Sequence, residues 1–307
     1  MVASFFGKSK PINFILVALY ITGFFILTLI SQGSFTGISG IFESLGVLIL
    51  ILLSGLLLNF ISGRNELTRR NSYKIVLFAG FLCMFPNVFT NASVIAANFF
   101  ILLAFRRIIS LRTQRQTIQK IFDATLWICV ASLFHFWSIL FLFLLYFGIL
   151  VHVGHRFKNW LVPLIGFLAA LSLVTCGDLL ITDSFFTLFD WVSYSNFDFS
   201  RYRELPILIP TAFMFGVMIW ASFFYLVIIQ KASATAKTSL FIVLLYTVVA
   251  LVVAIFAPTK DSSELLFLFF PLAIIVTNYF QMMKDKWFKE TLLILILLLP
   301  VILQIFF

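Results

Sequence analysis

The sequence predicts an all-α polytopic transmembrane helix bundle, and three observations carry that expectation. Apolar residues make up 62% of the 307, about 190 in all, and only 11% are charged, against about 25% in an ordinary soluble domain. Mean hydropathy is +1.12. The apolar residues form continuous runs with basic residues clustered between them. One helical crossing takes roughly 20 apolar residues, so the apolar content fills about nine or ten. These figures exclude a soluble globule, a disordered chain, a coiled coil and a disulfide-stapled domain. A barrel is excluded because its strands alternate apolar and polar positions.

The first run, residues 12–30, follows Lys8 and Lys10. It is too long for a signal-peptide core and no A-x-A site follows, so it reads as an uncleaved first span. Further runs cover residues 45–62, 160–176, 206–229, 239–257, 265–280 and 291–307. Two longer stretches, 73–105 and 121–152, are interrupted. The first breaks at Phe85-Pro86-Asn87-Val88-Phe89-Thr90-Asn91, where proline removes a helix donor and two asparagines compete for backbone bonds. The second breaks at His135-Phe136-Trp137-Ser138. Each is either two short spans or one re-entrant hairpin, giving about 11 spans, or 9 or 7 with hairpins. Eleven is preferred, because non-helical backbone at membrane depth must be buried in protein or line water. The chain 1–307 reads as a single integral membrane domain. Its one substantial loop, 177–205, reads as extracytoplasmic, with an amphipathic segment lying aromatic side down in the interface.

Charge fixes the expected orientation. A cytoplasmic N-terminus places 18 of the 21 Lys and Arg residues inside and only Arg201, Arg203 and Lys260 outside. That is the positive-inside pattern, and it puts the C-terminus extracytoplasmic. It explains the net charge of +9 without nucleic acid. Cys83, Cys129 and Cys176 sit in separate apolar segments and read as small buried side chains.

The candidate functional residues are the polar exceptions. Arg201-Tyr202-Arg203 lies on the side that the charge bias depletes, and a guanidinium holds phosphate bidentately. Flanking Asp198 and Glu204 offer an ordinary surface cluster instead. Lys260-Asp261-Ser262-Ser263-Glu264 matches a capping box, Asp261 to Glu264. The same carboxylates are candidates for acid–base chemistry. His135 at its break is a candidate base or proton relay, or an interfacial residue with one hydrogen bond. Asn87 and Asn91 could bind a sugar or cap two half-helices. Glu43 is the acid of the first outer loop, a position that is catalytic in one class of membrane glycosyltransferases. The arginine-rich segment 106–115 reads as a topology determinant, with an anionic headgroup or nucleotide-sugar phosphate as the other reading. Asp123, three residues after Lys120, reads as a first-turn carboxylate favoured by that lysine.

P-loop, GxGxxG, HExxH, GxSxG and DxD motifs are absent, as is any His/Cys cluster. No cofactor and no metal site are therefore expected. The opening Phe5-Phe6-Gly7-Lys8-Ser9-Lys10-Pro11-Ile12-Asn13, the run Phe105-Arg106-Arg107-Ile108-Ile109-Ser110-Leu111-Arg112 and the segment from Lys260 to Pro271 resemble an uncharacterised family of multi-pass membrane proteins of Bacteroidota, a domain of unknown function. That resemblance implies a bacterial inner-membrane protein and supplies no activity. A looser likeness, of fold alone, is to polytopic polysaccharide polymerases and lipid-linked-sugar glycosyltransferases.

Three functional readings follow from the sequence. The first is an enzyme or enzyme subunit handling a polyprenyl-phosphate-linked saccharide at the outer face. There Arg201 and Arg203 hold phosphate, and Glu43, His135, Asp261 or Glu264 supplies acid–base chemistry. The second is a transporter or flippase using the two broken hairpins, with Asn87 and His135 reached by water from both sides. The third is a non-enzymatic assembly subunit. Membrane lipid is the partner common to all three.

Overall fold

In hydrocarbon every backbone polar group must pair internally, so each long apolar run closes into a helix. The computed structural model describes residues 2–31, 37–183, 185, 191–283 and 285–306. Among these, every regular element is helical. In chain order they are α1 (Val2–Phe6), α2 (Pro11–Ser31), α3 (Gly37–Arg64), α4 (Tyr73–Cys83), α5 (Asn87–Thr90), α6 (Ala92–Ser110) and α7 (Thr117–Phe134). Then follow α8 (Phe141–Val153), α9 (Phe157–Thr182), α10 (Leu205–Lys231), α11 (Ala234–Phe256), α12 (Leu266–Met282) and α13 (Lys286–Phe306). Ten helical segments among the described residues are long and apolar enough to cross a membrane. The expected polytopic bundle is borne out.

The two interrupted stretches each divide into two helical halves, of which all but Tyr73–Cys83 are long enough to cross a membrane. The short helix α4 has 11 residues, about 16 Å, which is under the roughly 30 Å of a hydrocarbon core. It does not stop there. Met84 and Pro86 keep right-handed helical angles and α5 follows. Asn87 Nδ2 then donates to the Asp261 carbonyl at 2.8 Å, in the turn between α11 and α12. The second stretch resolves as α7 and α8, joined by His135 and the 3-10 turn Phe136–Leu140. The His135 ring lies 5.4 Å from that of Phe267, at the start of α12. Both breaks therefore reach the same end of the bundle.

Side-chain ties mark the opposite, basic end. Asn13 Nδ2 donates to Lys8 O and Ser72 Oγ. Tyr73 OH donates to Ala3 O, and Ala3 N–H to the Glu290 carboxylate. Asn278 Nδ2 donates to Leu67 O. Arg64 and Arg106 share the face of Phe60. Lysines and arginines thus gather where the turns after α3, α6 and α12 meet the N-terminal segment.

The helix α12 is the hub. All residues from Leu266 to Phe280 are buried, against α4, α10 and α11. A helix apolar all round can be covered on every side. Lipid tails are as apolar as leucine, so packing rather than water exclusion holds such a centre together. Phenylalanine supplies much of it. Phe85 stacks on Phe269 at 5.6 Å, and Phe105 meets Phe270 edge-on at 5.3 Å. Tyr246 of α11 sits edge-on to Phe141 at 4.9 Å.

The passage α4 approaches α13 through Gly80. A Cβ there would collide with Ile296 Cγ2 and lie 3.3 Å from Ile296 O. Gly80→Ala is expected to cost about 1–2 kcal/mol through overpacking. Adding Ile296→Leu, which lacks the Cγ2 branch, is expected to return part of that loss. Unfolding of the purified variants in mixed micelles checks both; equal stability of Gly80→Ala and wild type would contradict the close approach.

One boundary is corrected. The loop expected over 177–205 begins later, because Leu179, Leu180 and Ile181 continue α9 to Thr182. Neither Gly177 nor Asp178 interrupts the apolar run. Residues 186–190, the middle of the expected interfacial segment, lie outside the described residues, as do Lys284 and Phe307.

Candidate functional site

The far end of the bundle, opposite the basic one, gathers most of the polar residues singled out from sequence. Its centre is the turn between α11 and α12. Ser262 adopts a left-handed conformation there, with φ of 75°. That reversal redirects the expected capping box. The Asp261 carboxylate accepts from Ser263 N–H at 3.1 Å and from Ser263 Oγ at 2.6 Å. Glu264 does not reach back to cap the turn. It is only 1% exposed, and its Oε1 accepts from Tyr202 OH at 2.7 Å. Its Oε2 is buried with no hydrogen-bond partner among the described residues.

Asn87 and Asn91 fasten the α4–α6 break onto this turn. Asn91 Oδ1 caps α6 by accepting from Val94 N–H, while its Nδ2 donates to Ser263 Oγ at 3.0 Å. The capping reading is thus realised at Asn91, with a second bond that spans 172 residues.

Lys260 closes the other side. Its ammonium donates to Ala254 O at 2.6 Å and Ile255 O at 2.7 Å, satisfying carbonyls at the end of α11. It also lies 5.1 Å from the Phe199 ring centre. Burial holds this ammonium below its usual value, and Glu264 pulls the other way. His135 is within electrostatic reach of it. Burial first, and Lys260 second, bring the imidazole down to about 4. The ring is therefore neutral near pH 7. His135 Nε2, Trp137 Nε1 and Ser138 Oγ are buried without hydrogen-bond partners among the described residues.

The turn that carries the arginine pair is joined to this cluster through Tyr202. Ser200–Arg203 forms a 3-10 turn, opened by Asp198, whose carboxylate accepts from Ser200 N–H at 2.9 Å. That bond, with Arg203 nearby, holds the Asp198 carboxyl below its usual range. The turn sends Tyr202 inward and leaves Arg201 and Arg203 exposed. Burial, then Glu264, pushes the phenol far above its ordinary value, so Tyr202 is a donor at any accessible pH. Asp198 and Glu204 form no ion pair with either arginine among the described residues, so the expected surface cluster does not hold them.

Glu43 lies elsewhere. It is exposed on α3, and no hydrogen bond joins it to the cluster. Asp123 is corrected: it pairs with Arg107 of α6 at 2.9 Å. Lys120 turns away to Ser110 O and Thr113 Oγ1. Among the described residues no group of three His, Cys, Asp or Glu is placed to hold a metal ion. Sequence reasoning missed Tyr202, which appeared only as the spacer between two arginines. Its one signal was an aromatic hydroxyl between two charges.

The fold and this buried polar end define a multi-pass, all-helical membrane protein. The chain belongs to a family described as of unknown function (DUF6427), which it matches over residues 8–307. No curated protein and no solved structure matches it.

Proposed function

We propose that this protein handles a polyprenyl-phosphate-linked saccharide at the outer face of a bacterial inner membrane, as an enzyme or enzyme subunit of envelope glycan assembly. The basic end faces the cytoplasm in this reading, because the sequence sorting by charge assigns 18 of 21 lysines and arginines to that side. The observation that carries the reading is the Tyr202–Glu264 bond. It ties the turn that carries two exposed arginines to a buried carboxyl group. Arg201 and Arg203 then hold the phosphate, and the Glu264 carboxyl, uncovered when Tyr202 swings aside, moves a proton at the glycosidic oxygen. His135, neutral and with Nε2 unpartnered among the described residues, serves in this reading as a second base. Asp261 positions Ser263, and Asn87 and Asn91 hold the frame. Glu43 has no part in the site. No observation favours transport, since both helix breaks lie at the end of the bundle and Asn87 and Asn91 are committed to the α11–α12 turn.

Arg201→Ala/Arg203→Ala is expected to leave protein level unchanged, because both side chains are exposed. Surface glycan is expected to fall at least tenfold while lipid-linked intermediates accumulate. Arg201→Lys/Arg203→Lys is expected to retain part of the activity, since lysine keeps the charge but loses the bidentate fork. Glycan staining and lipid extraction from cells carrying each variant read this out. Unchanged glycan and intermediates in the alanine pair would overturn the proposal.

A further inference from the structure

Away from this site, a lateral groove of about 390 Å³ runs between α7 and α9. Leu126, Trp127, Val130 and Leu133 form one wall, and Phe167, Ala170 and Leu171 face them. The Arg107–Asp123 pair closes one end, toward the basic end of the bundle. The other is closed by Trp191, whose indole N–H donates to Ser132 O at 2.9 Å and whose ring contacts Phe167. From Asp123 to Leu133 the groove is about 15 Å long, half the thickness of a hydrocarbon core.

We propose that this groove binds one acyl chain of an anionic phospholipid from the leaflet at the basic end, with the lipid phosphate on Arg107. Three observations select that occupant. First, the walls are apolar and bounded at both ends, one by an ion pair and one by an aromatic ring. Second, the ion pair lies about 9 Å inside α7, yet the Arg107 and Asp123 side chains are 39% and 34% exposed. A half-open ion pair at that depth is costly against hydrocarbon and is satisfied by a headgroup. Third, the charge is unbalanced in favour of an anion: Lys120 is within electrostatic reach of Arg107, Arg115 and Arg64, against the single carboxylate of Asp123. A transmembrane partner helix, which needs roughly 30 Å to cross the hydrocarbon core, finds a bounded groove only half that length.

The wild-type protein, purified in mild detergent, is expected to retain one anionic phospholipid per chain, read by native mass spectrometry and lipid extraction. Ala170→Trp fills the groove, and Arg107→Gln/Asp123→Asn removes the polar end without stranding a charge. Each is expected to lower the retained lipid at least fivefold. Because either variant risks misfolding, a second measurement starts from the wild type. In vesicles, brominated phosphatidylglycerol is expected to quench more tryptophan emission than brominated phosphatidylcholine at equal mole fraction. Trp127→Phe is expected to remove most of that excess. Equal quenching by the two lipids overturns the proposal. So does recovery of an isoprenoid lipid, of a stoichiometric protein partner, or of detergent alone. None of these readouts depends on the arginines at the far end, so this inference and the proposed function fail separately.

Discussion

Tyr202→Phe is expected to lower the unfolding free energy by about 2–3 kcal/mol, more than the loss of one ordinary hydrogen bond. The reason lies in what remains. The phenol donates to Glu264 Oε1 at 2.7 Å, and Oε2 already lacks a partner. Phenylalanine keeps the ring but leaves a carboxyl group, 1% exposed, without its one side-chain donor. Stranding a buried polar group costs its full desolvation, whereas the intact bond contributes only the difference from solvent. Glu264→Leu strands the phenol in turn and is expected to cost about 1–2 kcal/mol. The double variant removes both partners, and its loss is expected to fall short of the sum by at least about 1 kcal/mol. Unfolding of the four purified proteins in mixed micelles completes the cycle. Additivity within about 0.5 kcal/mol would mean the two side chains are uncoupled. It would also detach the arginine turn from the buried carboxyl on which the proposed chemistry depends.

Much of the architecture is legible in the sequence because one physical rule dominates it. Apolar runs must become helices, and basic residues must stay out of hydrocarbon. The spans and the gathering of charge follow directly. Which helix sits at the centre does not. The hub α12 is slightly less hydropathic than α9, yet α12 is the most enclosed span and α9 the least. Against lipid, burial and exposure demand the same side chains. Local signals were mixed at the far end. Asn91 caps α6 as its type and place suggest. The Asp261–Glu264 spacing promised a capping box, but one left-handed residue, Ser262, turned Glu264 into the bundle. Neither that reversal nor a bond across 62 residues to Tyr202 leaves a mark in sequence spacing. Asp123 shows the same limit: Lys120 is nearer in sequence, but the α6–α7 packing brings Arg107 to it.

His135 is expected to make its own contribution to the pH dependence of stability. Its side chain is 5% exposed. Burial and the Lys260 ammonium lower the imidazole from 6.5 to about 4. An unfolded chain binds the proton below about 6.5, whereas the folded chain refuses it until about 4. The stabilisation from a neutral His135 is therefore complete above pH 6.5. It is lost progressively as pH falls between those values and stays lost below them. A shift of this size corresponds to about 3 kcal/mol. Carboxylates titrate in the same window, so the comparison must be made against a variant. His135→Gln keeps a polar side chain at the break and has no proton to gain. Wild type and His135→Gln are expected to diverge by about 3 kcal/mol in pH response between pH 7 and pH 4. Thermal unfolding at half-unit steps of pH in a single detergent measures it. Parallel curves would show that the imidazole binds its proton alike in the folded and the unfolded chain, so that neither burial nor Lys260 holds it neutral.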